Sequence, residues 1–309
     1  MIYYDISSFQ DIIDEHFNEL QTYLNNRIAE STLNVPIKQF IIDNLQDIIK
    51  SNPTELKRLN DELKNHKRFS VNLNNKIKKI FNYKYFSTKS DNGSYDAYEL
   101  AKKLNIRTCL YCNRNYTLTV IKGIRTTDKI TRPEFDHYFD KGENPLLSLS
   151  IYNIIPSCKT CNSSLKGRIK FKLNQNVHPY IDNVINEYEY KFVPYDVQSI
   201  IGGSSNLSLV LKPLTSNNRL KKMINNSKEI FKLEEIMSAH SEELKDLFDI
   251  RYRFSQRYFE ELFNKYSALG LDYNEIFRIV FGTYYTEVDF SRRPFSKLKK
   301  DILRELNIV

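Results

Sequence analysis

EFDHYFDKGENPLLSLSIYNIIPSCKTCNSSLKG, residues 134–167, sets an aspartate-histidine pair ahead of a proline-bounded apolar run, a Cys-x-x-Cys and then Asn-Ser-Ser-Leu-Lys-Gly. A packed core alone requires no such order of residue types. The run reaching Phe139 reads as extended, a second extended run is expected from Ser150 to Ser157, and Lys159 to Lys166 reads as helix. Upstream, Asn115 to Ile121 alternates Tyr116, Leu118 and Val120 against Thr117 and Thr119, and Lys122-Gly123 can turn the chain back as a hairpin. The expectation is a compact ββα unit behind an extra hairpin.

The chain's four cysteines all fall in two Cys-x-x-Cys pairs, Cys109/Cys112 and Cys158/Cys161. A thiolate pair two residues apart grips one ion from a tight knuckle, and two such pairs complete a tetrahedral zinc site. The 45 intervening residues exceed an ordinary zinc ribbon, so the ion would staple the ends of an inserted unit. Two disulfides would need an oxidising compartment, and a thioredoxin-like redox pair would leave the second pair unexplained. Four thiolates leave no open position for water, which makes the zinc structural rather than catalytic.

With those residues in place, the segment from about 109 to 178 resembles the HNH endonucleases of the ββα-metal, or His-Me finger, fold, in their branch with two zinc knuckles. The resemblance rests on Asp136-His137 in one extended run, Asn153 in the next, Asn162 directly after Cys161, and Lys166-Gly167 following. It implies hydrolysis of nucleic-acid phosphodiester bonds, with His137 as general base, Asn153 bracing the loop and orienting His137, and Asp136 and Asn162 holding Mg²⁺ or Mn²⁺ through oxygen. Histidine suits a base working near neutral pH, and a divalent cation neutralises charge on the phosphate and the leaving oxygen. Neighbours in a regular strand face opposite ways, so the resemblance also implies that the strand ends or bends at Asp136-His137. Asp140 is the alternative metal ligand. The products would be a 5′ phosphate and a 3′ hydroxyl.

Around this constellation lie further candidates. His178, in Val-His-Pro-Tyr, is a candidate for approach to the metal or a phosphate, whereas His16, His66 and His240 read as ordinary. Lys159, Lys166, Arg168, Lys170 and Lys172 form a basic strip without an acidic residue, suited to phosphate contacts that position without reading bases. The run Arg292, Arg293, Lys297, Lys299 and Lys300 reads instead as a solvated face.

The remaining chain frames this centre. Its 309 residues suffice for one large domain or two smaller ones, and 41% hydrophobic residues with scarce Gly and Pro favour long helices. A formal charge of +8 suits a polyanionic partner without proving one. Helical spacing is read at Ser8–Asn25 with Ser8 as N-cap, over Ile37–Ile49, from Pro53 to Lys64, and at Asp96–Leu104. Beyond Pro179, Asn206–Lys212 reads as a strand, Ile230–Tyr266 as two helices, and Tyr273–Tyr285 and Ser296–Leu306 as two more. The fold class expected is therefore α+β, mostly α, with a helical region 1–105, a zinc-stapled nuclease module 106–178 and a mostly helical region 179–309.

Without a leader-like N-terminus or a membrane span, a cytoplasmic location is expected. HNH modules in helical shells resemble the nuclease components of bacterial anti-phage systems such as Septu and retron effectors. DNA is the expected substrate. No recognition helix or repeat array is visible to read base edges, so weak sequence preference is expected. Because an unspecific nuclease would damage its own genome, the helical segments are expected to bind a regulatory protein such as an ATPase. The rival readings are a non-catalytic zinc-dependent module that binds nucleic acid or protein, and an RNA-cleaving toxin using the same site.

Overall fold

The computed structural model describes residues 1–67, 69–88, 95–123 and 125–309. It is a mixed α+β structure, predominantly helical, with three two-stranded antiparallel sheets among the described residues.

Helix α1, Gln10–Ala29, turns Ile13, Phe17, Leu20, Leu24 and Ile28 inward. Ser8 does not cap it. Ser8 lies in a 3₁₀ turn, Ile6–Ser8, capped by Asp5, and Phe9 holds the cap position of α1 without a side-chain bond. The segment after Pro36 breaks into α2, Val35–Asp43, and α3, Leu45–Lys50, because the Asn44 amide bonds the Phe40 carbonyl at 2.8 Å and competes with the backbone ladder. Helix α4, Pro53–Asn65, starts where Asn52 accepts the amides of Thr54 and Glu55 and Pro53 occupies the first turn. Two helices that the sequence reading did not include follow: α5, Val71–Ile80, and α6, Tyr83–Ser87. Helix α7, Ala97–Leu104, is capped by Asp96.

The expected hairpin is shorter than its alternation. Strand β1 is only Val120–Ile121, paired with β2, Lys129–Thr131. Upstream of β1 the buried residue is Thr117, while Tyr116 and Leu118 are exposed, so the apolar set faces away from the core. Strand β3, Glu134–His137, pairs with β4, Ile154–Ser157, from Glu134↔Ser157 to His137↔Ile154. The first part of the expected second strand is instead a 3₁₀ turn, Ile151–Asn153. A π-type helix, Thr160–Lys166, begins inside the second cysteine knuckle and contains Cys161, its Asn162 carbonyl accepting the Gly167 amide at 2.9 Å. Gly167 ends it at φ +49°, a left-handed conformation that favours glycine.

The third sheet pairs β5, Tyr188–Pro194, with β6, Leu207–Pro213, through seven residue pairs. A short helix, α8, Val197–Ile200, lies in the connection. After α9, Asn218–Ile230, the span Ile230–Tyr266, where two helices were expected, forms three: α10, Leu233–Ser238, α11, Ser241–Arg253, and α12, Gln256–Ser267. Lys232 in a left-handed conformation and the Phe254–Ser255 break divide them. Helices α13, Tyr273–Phe281, and α14, Ser296–Glu305, complete the chain. Both edges of the β5–β6 ribbon are closed by side chains. Asp301 and Glu305 of α14 accept the amides of Tyr190 and Phe192, and Glu234 and Ser238 of α10 accept those of Leu211 and Leu209.

The solvated reading of the C-terminal basic run fails at Lys297 and Lys300, which are buried. Lys297 pairs with Asp301 at 2.7 Å and lies over the Tyr188 ring; Lys300 lies over Tyr285 and Phe290. Lys297 thus packs α14 against Tyr188 of the ribbon and Lys300 packs it against Tyr285 and Phe290, their long stems acting as apolar chain. A single buried apolar cluster runs from Met1 to Ile308 and includes all four cysteines.

Candidate functional site

The cysteines meet. Cys109, Cys112, Cys158 and Cys161 are all buried, with their sulfurs within 4.8 Å of one another and Cys112 to Cys158 at 4.0 Å. Zinc bound at about 2.3 Å to four sulfurs sets them roughly 3.8 Å apart, so the cluster fits zinc with little rearrangement. Each knuckle also aims an amide at sulfur, Arg114 N–H at Cys112 and Cys161 N–H at Cys158. Asn113 takes the left-handed conformation that the first knuckle needs. Burial pushes Cys109 up and neighbouring sulfurs push Cys161 up, while Cys112 and Cys158 are drawn down by hydrogen bonds from Cys109. Four thiolates this close would need a cation, and the set could hold a divalent metal such as zinc.

Strand β3 ends at His137, yet Asp136 and His137 still part to opposite sides. The Asp136 carboxylate is buried, taking the Tyr111 hydroxyl on Oδ2 at 2.6 Å and the Lys166 ammonium on Oδ1 at 2.6 Å. Lys166 also donates to the His137 carbonyl at 2.6 Å. The His137 ring goes to Ser148, whose carbonyl lies 3.0 Å from Nε2, and packs edge-on against Tyr83 with centroids 4.3 Å apart. A carbonyl only accepts, so Nε2 carries the proton and Nδ1 keeps its lone pair. Burial, with Lys141 adding, lowers the His137 pKa to about 3 and keeps the ring neutral.

Asn153 braces the loop between the strands. Its Oδ1 accepts the Phe139 amide at 2.6 Å, and its Nδ2 donates to the Leu147 carbonyl at 2.9 Å. It makes no bond to the His137 ring; it fixes the Leu147–Ser148 backbone to which the ring is tied. Asn162, by contrast, is not brought to Asp136. Its Nδ2 donates to Glu134 at 2.9 Å, and the Ser163 hydroxyl joins the same carboxylate oxygen at 2.7 Å. Asp140 caps its own turn by accepting the Glu143 amide at 2.9 Å.

His178 is fully buried with both nitrogens engaged, Nε2 on the Tyr152 carbonyl at 3.0 Å and Nδ1 accepting the Tyr180 amide at 3.2 Å. It therefore has no free nitrogen for a metal or a phosphate, and its role is to hold backbone. His16, read as ordinary, does the same at the Leu149 carbonyl at 2.8 Å. The basic strip divides. Lys166 is buried on Asp136 and is unable to grip a phosphate, Lys170 pairs with Glu143, and Lys159 and Arg168 remain exposed. Lys159 borders a groove of about 550 Å³ between the hairpin and the second knuckle, with Glu134 also in its wall.

No family model, curated protein or solved structure matches the chain. The fit of a second metal therefore rests on these contacts. As arranged, Asp136 already has a cation in Lys166, and Asn162 belongs to Glu134, so the two expected ligands do not form a ready divalent site. Among the described residues the four cysteines are the one cluster of metal-ligating His, Cys, Asp or Glu side chains. The sequence reading missed Tyr111, Tyr83, Ser148 and Glu134. Of these only Tyr111, inside Cys-Leu-Tyr-Cys, carried a local signal, because a residue within a knuckle is held against the unit that the knuckle closes.

Proposed function

We propose that the chain is a nucleic-acid phosphodiesterase of HNH type, with His137 as general base and zinc at the four cysteines as a structural staple. The observation that carries the reading is the His137 tautomer. With Nε2–H tied to the Ser148 carbonyl, Nδ1 is left as a fixed proton acceptor on a backbone that Asn153 braces. A base with a pKa near 3 is weak, but a phosphodiester anion beside the ring favours the imidazolium and raises it. DNA is the substrate that the resemblance favours.

The rival reading, a zinc-dependent binding module, draws on the same geometry, since Lys166 seals Asp136 and His137 is buried. Plasmid DNA and structured RNA incubated with the purified protein in Mg²⁺, Mn²⁺ or a chelator mild enough to leave zinc bound separate the two. We expect cleavage by the parent, and a loss of at least about a hundredfold in His137→Ala with zinc content and melting temperature kept. Equal cleavage by His137→Ala would sink the assignment of the base, and no cleavage of either polymer under any cation would leave the binding module. The cation arm is informative by itself, because a divalent ion at Asp136 has to displace the Lys166 ammonium.

A further inference from the structure

Beside His137 lies a cavity of about 300 Å³ whose wall includes Tyr83 and Ser148, the two residues that hold the His137 ring. The same wall contains Lys78, Lys84 and Lys141 and no carboxylate. The other open cavities differ in this respect. The hollow at Arg27 and Lys79 includes Glu30, the groove at Lys159 includes Glu134, and the hollow under α14 includes Glu189, Asp301 and Glu305. Among the described residues none of these three lysines is in an ion pair, although many of the chain's other lysines are.

Lys141 is also oriented. Its ammonium stands over the Tyr83 ring at 4.8 Å, the ring that packs against His137. Partial desolvation lowers its pKa, Asp136 and Asp140 oppose that, and Lys166 and Lys78 add to it. Lysines gathered at one concavity without a carboxylate in its wall favour an anion there, and the anion that the proposed reaction brings to His137 is a phosphodiester.

We infer that Lys78, Lys84 and Lys141 form the seat for backbone phosphate of the nucleic acid at the His137 side of the unit, Lys78 and Lys84 brought there by α5 and α6 from outside it and Lys141 by the loop after β3. The exposed Lys159 and Arg168 are then secondary contacts. This deepens the phosphodiesterase reading and rests on it for the identity of the anion. The seat binds charge and sugar-phosphate spacing rather than base edges, so it serves any sequence.

The test measures binding apart from cleavage, using fluorescence anisotropy of a labelled DNA duplex on His137→Ala protein across a salt series. Lys78→Ala/Lys84→Ala/Lys141→Ala in that background should weaken binding by ~10- to 100-fold and reduce the slope of log affinity against log salt by about 2 to 3. A charge-matched control, Lys102→Ala/Lys221→Ala/Lys222→Ala, should change the slope by less than about 1. Zinc content and melting temperature of both triples confirm folding, and Lys84→Ala/Lys141→Ala serves if the first triple is unstable. Unchanged affinity and slope in a folded triple overturn the seat, whether or not the parent cleaves. Weakened binding by a protein that never cleaves keeps the seat and removes the phosphodiesterase reading.

Discussion

At the scale of the residue, the Asp136–Lys166 contact decides most. Both groups are buried, and in such a pair desolvation offsets much of the attraction, whereas removing one partner strands a charge in a poor solvent. Lys166→Met should therefore cost about 3 to 5 kcal/mol, while Asp136→Asn/Lys166→Met, which removes both charges, should recover a substantial part. Tyr111→Phe deletes only a hydrogen bond to a carboxylate and should cost about 1.5 to 3 kcal/mol. Urea unfolding of the parent, Asp136→Asn, Lys166→Met and the double variant forms the cycle that checks this, with Tyr111→Phe measured beside it. Single and double variants of equal stability would mean that the contact is not closed in solution.

At the scale of the element, zinc held by the four cysteines would make the two knuckles and the β3–β4 pair depend on it, because metal binding energy in such sites is folding energy. Cys112→Ser should lose metal and lower the melting temperature, and a strong chelator should reproduce that fall in the parent while leaving Cys112→Ser nearly unchanged. A metal-free parent with unaltered melting would refute the staple. The cysteine cluster was legible because paired thiols announce their partner by spacing alone. The strand positions of Asp136 and His137 were legible too, as part of the run read as extended up to Phe139. What the two side chains touch was not. Lys166 comes onto Asp136 through the π-type turn that contains Cys161, and a turn of that kind leaves no period in the sequence. Helices α5 and α6, which bring Lys78, Lys84 and Tyr83 to the site, are short and polar on one face, and nothing local in them refers to a histidine more than fifty residues away.

At the scale of the whole molecule, one short backbone segment is held from three directions. The carbonyls of Ser148, Leu149 and Tyr152 are bonded by His137, His16 and His178, which belong to β3, α1 and the chain beyond the π helix. His16 and His178 are neutral there, their pKa values lowered by burial to about 4 and about 3. Between those values and the ordinary pKa of about 6.5, the unfolded chain binds more protons than the folded one, so stability is full above about pH 6.5 and is lost as pH falls toward 4. Melting temperature should drop by several degrees from pH 7.5 to 5, and His16→Gln should flatten that slope by removing one of the groups; an unchanged slope would discount the clasp. No described helix is long and apolar enough to cross a membrane. The clasp also sets a timetable. During synthesis His16 and His137 leave the ribosome well before His178, and until then the Tyr152 carbonyl has no donor and the backbone under the base is incompletely tied. Closure of the clasp therefore waits until the chain has grown past His178, well beyond the histidine whose backbone it braces, a delay written into the position of one residue.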